Sequence, residues 1–466
     1  MIRLAKAGWA RVSTKGLGRN SLFSMGQSLT TIACVFLSYR FLIAEEGLAG
    51  LGLWSLLMVF GGVAMTFDIS GASALARSVA RHDIDFADVE RPDVVHTVLI
   101  TSMLINGVMI VVLLAALPFV LPSVIAAGQM AEAWRLIPWV AGLMVVTPLA
   151  VGISASIDGV MRADQRAMLA SAAAVTGLAV AGLAIPRLGI MGIALSQAVQ
   201  QGIVILGGWL ILRGHISGLG WLPWRWKAVV ARRTTGYALK LNTVGALGLL
   251  LEPLTKFCIN HAGGAAAVGV YELAARLAVQ LRNLIVASTS PLVPAFAATE
   301  VSDPAFSGLL AKAQRYAIFA AAAVGLSSLA AAPVMSLIIL GHVSAEVLQT
   351  NALLAFGWAI NLFSLPLYIA AQGQGVLRWN MISHAFIGLA VMVSTWLFMP
   401  VAGGAAAVFG VSAGLAGGAV ITIIGNARQF RQMPVLRRKL PLFAGSFAGL
   451  ATLCTLAWFA ASAWHG

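Results

Sequence analysis

Four basic side chains stand in stretches of sequence that are otherwise apolar: Arg40, Lys256, Arg276 and Arg282. A cation in such a place costs free energy, so it is retained where it meets a ligand, an ion or a buried partner. Two or three cations that face one cavity would bind phosphate, and arginine adds a bidentate geometry that matches phosphate oxygens. These four residues are therefore a candidate anion-binding set.

Three acidic residues lie in or at the end of the same apolar stretches: Glu272, Glu252 and Asp68. A carboxylate in an apolar segment can bind a proton or a cation, so these residues are candidates for ion or proton coupling. The set nevertheless holds more bases than acids. That balance favours an anionic ligand over a cationic one.

Local ion pairing is the competing interpretation of these charges. Glu252–Lys256 and Glu272–Arg276 both have i,i+4 spacing, so each pair can neutralise itself on one face of a helix. Arg40 lies near the end of its apolar run, where a long side chain can reach the interface. Arg282 has no acid one helical turn away and is the hardest of the four to explain in this way.

The overall composition is that of a membrane protein. Of the 466 residues 60% are hydrophobic and only 10% are charged, and the mean hydropathy is +0.91. Soluble domains carry roughly 25% charged residues. The net charge of +14 resides mostly between the apolar runs, which indicates membrane orientation and disfavours nucleic-acid binding. The sequence shows no Walker A pattern, metal-ligand spacing or disulfide framework, so no cofactor is expected.

Thirteen apolar runs are long enough to cross about 30 Å of hydrocarbon as helices. Connections after even-numbered runs carry Arg and Lys, whereas those after odd-numbered runs are short and nearly free of them. The positive-inside rule therefore places the N-terminus in the cytoplasm. The predicted spans are residues 18–42, 48–68, 95–120, 136–158, 167–186, 189–212, 237–260, 266–296, 315–340, 348–372, 379–400, 403–425 and 441–464.

Two halves of the chain resemble each other in sequence. Residues 41–54 (FLIAEEGLAGLGLW) parallel 257–271 (FCINHAGGAAAVGVY), and residues 159–162 (GVMR) parallel 375–378 (GVLR). A looser match relates the segments that begin at Pro186 and Pro400. In each match the second segment follows the first at nearly the same distance along the chain. Three matches in order at a nearly constant offset predict a duplication of six spans, related by a pseudo-twofold axis along the membrane normal.

This repeat divides the all-α chain into four parts. They are an N-terminal six-helix bundle (1–212), a cytoplasmic basic and tryptophan-rich linker (213–236), a C-terminal six-helix bundle (237–425) and a basic loop with an extra C-terminal helix (426–466). The linker contains Trp221, Trp224 and Trp226 beside several arginines. Tryptophan and basic residues together favour a segment that lies in the headgroup layer of the membrane.

Several segments carry a family resemblance. Residues 269–276 (GVYELAAR) followed by 291–297 (PLVPAFA), and residues 67–77 (FDISGASALAR), are similar to sequences of polysaccharide flippases. These are Wzx-type members of the multidrug/oligosaccharidyl-lipid/polysaccharide exporter superfamily. Ser70 stands where the family has glycine, and the family commonly has twelve or fourteen spans. The resemblance extends loosely over residues 18–425.

The resemblance implies two six-helix bundles, a cationic central cavity and alternating access. It implies a polyprenyl-pyrophosphate-linked oligosaccharide as cargo, moved from the cytoplasmic to the outer leaflet of a bacterial inner membrane. Membrane lipids, a polysaccharide polymerase and a co-polymerase are the implied partners. A pyrophosphate held by Arg282, Arg276, Lys256 or Arg40 would agree with the candidate anion-binding set.

Other functions stay open. A multidrug cation exporter of the same superfamily, exchanging its cargo for protons or sodium, would need cavity carboxylates that outnumber the bases. A flippase for the peptidoglycan lipid precursor would also carry an anion, so only its cargo would distinguish it. A membrane glycan polymerase or ligase would place catalytic residues on a sizeable outer loop, whereas the predicted outer loops are short.

Overall fold

The computed structural model describes residues 14–66, 75–76, 78–79, 88–235, 248, 250–289, 292–297 and 299–463. Twelve α-helices and one 3₁₀ turn cover most of these residues, and none of the described residues lies in a β-strand. The predicted all-α class is confirmed. A helix pairs its backbone polar groups internally, which an apolar chain needs inside a bilayer.

The helices are numbered here in chain order, and the 3₁₀ turn at Ala127–Gln129 precedes α3. They are α1 (Thr14–Thr66), α2 (Arg91–Val124), α3 (Met130–Gly159), α4 (Ala163–Leu188), α5 (Ile190–His215), α6 (Leu251–Thr289), α7 (Leu292–Ala297), α8 (Pro304–Leu340), α9 (Ala345–Gln374), α10 (Arg378–Ala402), α11 (Ala405–Gln429) and α12 (Met433–Ala463). In the described part of the chain, eleven helices are long and apolar enough to span a membrane. The six-residue α7 is too short.

The described residues form eleven candidate spans instead of the predicted thirteen because, in two predicted pairs, the second run follows the first across a glycine without a loop. Runs 18–42 and 48–68 belong to α1, and the described parts of runs 237–260 and 266–296 belong to α6. Gly47 (φ 66°, ψ −174°) and Gly264 (φ 73°, ψ −178°) break the helical path in α1 and α6. A single glycine, which adopts positive φ without strain, replaces the loop that we expected.

Two close crossings join the segments that follow these glycines. A Cβ atom on Gly52 would overlap the backbone carbonyl oxygen of Ala265, and a Cβ atom on Gly269 would overlap that of Leu48. In the sequence repeat, position 265 is the equivalent of position 48, and position 269 is the equivalent of position 52. The contact is therefore reciprocal between the two copies of the repeat. Small residues permit such close approach of helix backbones in membranes.

Alanine at position 52 is expected to destabilise the protein, because the added methyl would force the two backbones apart. Overpacking of this kind costs about 3 kcal/mol, which lowers the unfolding midpoint of a chain of this length by roughly 3 °C. Gly107→Ala is the control, since a Cβ atom there meets open space. Thermal unfolding in detergent measures both variants. Equal midpoints for the two variants would mean that the crossing is not close.

The helices group into two compact units. The first unit comprises Met1–Glu45, Phe60–Val120 and Ala131–Thr243, as far as these segments are described. The second unit comprises Glu46–Val59, Leu121–Met130 and Val244–Gly466. The predicted domain boundaries at 212, 236 and 425 stay predictions.

In the first unit, the predicted linker is tied to the start of α2. The buried carboxylate of Asp93 pairs with Lys227 Nζ at 2.5 Å and with Arg225 Nη1 at 3.4 Å. The indole of Trp226 donates to Thr101 Oγ1 at 3.1 Å. The indoles of Trp221 and Trp224 are exposed on the same segment. The linker is thus an ordered part of the first unit.

Helix caps fix the ends of α8 and α9 in the second unit. The Asp303 carboxylate accepts a hydrogen bond from the Ala305 backbone N–H at 2.7 Å, and Pro304 occupies the first helical position. Gly341 ends α8 and Gly375 ends α9, both in the left-handed conformation that favours glycine. These caps set the length of α9, which carries several residues of the site described next.

Candidate functional site

Four of the predicted charged residues form one ion-paired cluster in the second unit. Lys256 Nζ lies 2.6 Å from Glu252 Oε1 and 2.9 Å from Glu272 Oε2. Arg276 Nη2 lies 2.5 Å from Glu272 Oε1. Ser55 Oγ donates to Glu272 Oε2 at 2.8 Å. Within the described part of the chain, these four side chains carry two positive and two negative charges, which balance.

Burial differs sharply between the members of this cluster. The side chains of Lys256 and Glu272 are each 5% exposed, whereas those of Glu252 and Arg276 are 62% and 39% exposed. The buried pair joins the two arms of α6 on either side of Gly264. Buried charges are tolerated when each has a partner, and removal of one partner is strongly destabilising. The geometry therefore gives Lys256 and Glu272 a structural role in the conformation observed.

Arg282 has a different environment from the other three predicted cations. Its guanidinium carbon lies 4.7 Å from the centroid of the Trp358 ring, and Nη1 donates to Asn283 Oδ1 at 3.3 Å. Its Nε is buried and has no hydrogen-bond partner among the residues that the structure describes. Among the described residues, no carboxylate lies within ion-pair distance of this guanidinium. Arg282 is thus a cation held by an aromatic ring and by a neutral amide.

Arg282 lines a cavity of about 270 Å³ between α6, α9, α10 and α11 in the second unit, which we name the Arg282 cavity. Its described lining contains no Asp or Glu. Hydroxyl, amide and imidazole groups supply the other polar atoms. The polar lining residues that matter below are Arg282, Asn361, Tyr368, Gln372, His384 and Thr422. A cavity with one fixed positive charge and several neutral donors suits an anion.

Tyr368 and His384 form a hydrogen-bonded pair on the cavity wall. The Tyr368 hydroxyl lies 3.2 Å from His384 Nε2, and the two rings are perpendicular with centroids 5.9 Å apart. His384 Nδ1 is buried and has no hydrogen-bond partner in the described ranges. A polar chain supports the pair from behind, because Asn380 donates to the Tyr368 carbonyl at 3.1 Å and Asn426 donates to Asn380 at 3.0 Å.

Glycines on α11 bring α10 close enough to build this wall. Gly410, Gly414 and Gly418 follow each other at i,i+4 spacing, so they share one helix face. Cβ atoms there would approach backbone or side-chain atoms of α10 to 2.8, 3.1 and 2.7 Å. Small residues repeated at this spacing typically mark tight helix packing in membranes. The seam places His384 on α10 beside Thr422 on α11.

The structure therefore separates the predicted site residues. It gathers Lys256, Glu252, Glu272 and Arg276 in one cluster and places Arg282 at the cavity. Arg40 is an exposed residue of α1 in the first unit. Asp68 lies outside the described residues.

Of the six polar cavity residues named above, only Arg282 was predicted from the sequence. Asn361, Tyr368, Gln372, His384 and Thr422 were not among the predicted site residues. A histidine in an apolar helix is a weak signal, because its role depends on neighbours that are distant in sequence. The i,i+7 spacing of Asn361 and Tyr368, which puts both on one face of α9, is the signal that was available.

The comparisons with known proteins identify the fold. No family model and no curated protein matches the sequence. An inward-facing multidrug resistance MATE family transporter of the MOP superfamily matches with a TM-score of 0.66 and 15% identity, over 90% of this chain and 99% of that chain. The lipid II flippase MurJ, in an inward closed conformation, matches with a TM-score of 0.67 and 11% identity, over 95% and 97%.

A third similar structure is a MOP superfamily transporter from Pyrococcus furiosus. It matches with a TM-score of 0.62 and 18% identity, over 90% of this chain and 96% of that chain. A reversed polarity of its binding pocket suggests a different function for that transporter. At these identities the likeness shows a shared fold, which the chain follows over nearly its whole length.

Proposed function

We propose that this chain is a membrane transporter for an anionic lipid-linked glycan. Its cargo would be a polyprenyl-pyrophosphate-linked oligosaccharide, moved from the cytoplasmic to the outer leaflet of a bacterial inner membrane. The observation that carries the proposal is the Arg282 cavity, where a cation without a carboxylate partner faces neutral hydrogen-bonding groups. The fold supports transport, because similar structures include a multidrug transporter and a lipid flippase.

The sign of the charge distinguishes this cargo from a cationic drug. A cationic cargo needs a carboxylate that is free to meet it. In the described part of the second unit, Glu272 is already paired with Lys256 and Arg276, and Glu252 is paired with Lys256. The Arg282 cavity contributes a positive charge instead. We therefore favour an anion over the substrate of a proton- or sodium-driven multidrug exporter.

The size of the cavity limits which part of the cargo it holds. A volume of about 270 Å³ is at the lower end for small-molecule sites, which run from roughly 300 to 1,000 Å³. It suits a pyrophosphate and its nearest groups. The remaining sugars and the polyprenyl tail must lie outside it, with the tail in the bilayer.

The ion-paired cluster supplies a route to energy coupling in this proposal. Lys256 and Arg276 become available to phosphate only when Glu272 or Glu252 releases them. Protonation or binding of a cation at either carboxylate would do this, because it removes the charge that holds the pair. In this proposal Glu252, the more exposed acid, exchanges ions and Glu272 is the buried counter-ion. Arg40 and Asp68 stay secondary candidates for cargo binding and coupling.

Alternating access by two repeated six-helix bundles is the mechanism we infer. Ser55 and Glu272, which are hydrogen-bonded, are separated in sequence by the same offset as Gly47 and Gly264. Equivalent residues of a repeat touch each other only near a twofold axis.

The length of α1 bears on the number of membrane spans. Its 53 residues would form a straight helix about 80 Å long, which is far more than the hydrocarbon thickness. Two crossings each for α1 and α6 would restore thirteen spans and a cytoplasmic N-terminus.

Reconstitution tests the proposed cargo directly. The purified chain is placed in vesicles that contain a fluorescent polyprenyl-pyrophosphate-linked oligosaccharide in the inner leaflet, and a membrane-impermeant quencher reports its arrival outside. We expect quenching well above that of protein-free vesicles. Vesicles with a fluorescent peptidoglycan lipid precursor test the alternative flippase. Transport of an organic cation in exchange for protons, with neither lipid moved, would overturn the proposal.

A further inference from the structure

His384 is a titratable group that the proposed cargo binding does not yet use. It lines the Arg282 cavity from α10, and its Nδ1 is buried with no hydrogen-bond partner among the described residues. Arg282, which lines the same cavity from α6, also has a buried Nε with no hydrogen-bond partner in the described part of the chain. Buried polar atoms without partners are rare in folded proteins and call for a ligand or water. Because both of these nitrogen atoms lie at one cavity, a single ligand that accepts hydrogen bonds could pair with both.

Every described element that packs against His384 presents a cationic or a neutral group to it. Arg282 faces it from α6 and Tyr368 from α9. Thr422 of α11, which does not titrate, lines the same cavity, and Gly248 contributes no side chain. No carboxylate among the described residues lines the cavity, so no protein anion there can compensate a positive imidazolium.

We propose that the Arg282 cavity binds its anion together with a proton, which His384 takes up from solvent and releases when the anion leaves. This inference rests on the proposed function. A second positive charge beside Arg282 is stabilised only while an anion occupies the cavity, because like charges repel and the anion offsets both. Imidazole is the side chain whose ordinary pKa allows this change near neutral pH.

Tyr368 is the positioning residue for this exchange. In the neutral ring, the tyrosine hydroxyl donates to Nε2 and leaves the hydrogen on Nδ1. In the protonated ring, Nε2 donates to the tyrosine oxygen instead, so the hydroxyl hydrogen is free to turn toward a ligand. Protonation therefore adds one positive charge and one hydroxyl donor together, with one proton taken from solvent and no bond other than N–H formed.

The sign of the pH dependence follows from this linkage. Acid favours the imidazolium, so anion affinity is highest at low pH and weakens as the pH rises. When the ring is neutral before binding and protonated after it, affinity falls about tenfold for each pH unit. If Arg282 alone bound the anion, the affinity would change with pH only through the ionisation of the ligand itself.

The test is a calorimetric titration of the full-length chain in detergent with geranyl diphosphate, a short isoprenyl pyrophosphate. Affinity is measured at pH 6.5 and pH 8.0, and proton uptake is obtained from two buffers with different heats of ionisation. His384→Asn is the key variant, and His342→Asn, at an exposed histidine, is the control. Since all variants meet the same ligand, its own ionisation cancels in the comparison.

We expect the wild type and His342→Asn to lose about thirtyfold more affinity than His384→Asn between the two pH values, which are 1.5 pH units apart, and to take up close to one more proton. Parallel profiles for wild type and His384→Asn would overturn the inference but keep the proposed function, provided that Arg282→Ala weakens binding. If wild type does not bind geranyl diphosphate, both fail. If His384→Asn does not fold, His384→Gln replaces it. The inference is also contradicted if the wild type takes up only as many protons as the ligand's own ionisation accounts for.

Discussion

Replacing Arg282 by alanine is expected to weaken cargo binding about a hundredfold and to abolish glycan export. Loss of one partner from a buried charge-assisted hydrogen bond costs about 3 kcal/mol, and each 1.4 kcal/mol is about a factor of ten in affinity. The cargo-free protein should lose little stability, because alanine removes the contacts with Trp358 and Asn283 but also removes a buried Nε that has no partner among the described residues. Calorimetry with geranyl diphosphate and surface glycan in cells measure the two effects.

Arg282→Lys distinguishes charge from geometry. Lysine keeps the positive charge but loses the planar fork and the stacking on Trp358, so we expect about a tenfold loss of affinity. Arg315→Ala, at an exposed arginine of α8 in the same unit, is the matched control and should bind as wild type. Normal export by Arg282→Ala at normal protein level would remove this residue from the mechanism.

Glu272→Gln is expected to be the most destabilising single change among the charged residues. It removes the carboxylate that Lys256 and Arg276 share, and Lys256 is 5% exposed. Removal of one partner from a buried ion pair costs about 4 kcal/mol. The midpoint of thermal unfolding in detergent should fall by roughly 4 °C.

A double variant shows whether this cost comes from the buried positive charge that loses its partner in Glu272→Gln. Lys256→Met combined with Glu272→Gln removes the buried cation as well, so the pair of changes should cost less than the two single changes added together. Glu252→Gln is the control, because its carboxylate is 62% exposed and Lys256 keeps Glu272 as a partner, so this change should cost much less than Glu272→Gln. If Glu272→Gln proves no more costly than Glu252→Gln, the cluster is not a structural ion-pair network.

Local patterns predicted much of the fold. The apolar runs indicated the helical class, and their centres fall within the described helices wherever those centres are described, because burial in hydrocarbon requires helices of that length. The two i,i+4 pairs, Glu252–Lys256 and Glu272–Arg276, are present as the spacing allowed. The break between the first two runs is present at Gly47, directly after Glu45 and Glu46, but the loop that we expected there was wrong, because one glycine makes the break.

The candidate site depended on contacts that no local pattern contains. Lys256 and Glu272 lie on opposite sides of Gly264 in the sequence and meet only because that glycine breaks the helix between them. The sequence could not say that this meeting neutralises two predicted cargo residues. Tyr368 and His384 likewise meet across two helices. Arg282 was the exception, because the lack of an acid one turn away was already visible in the sequence.

A cryo-electron microscopy structure of the full-length chain with geranyl diphosphate bound tests most directly whether phosphate meets the cation of the second unit. We expect density for the two phosphates in the Arg282 cavity, with an oxygen within about 3.5 Å of the guanidinium and the Tyr368–His384 pair at the cavity wall. Phosphate density elsewhere, with the cavity empty and Arg282 still stacked on Trp358, would contradict an anion-carrying role for this cavity.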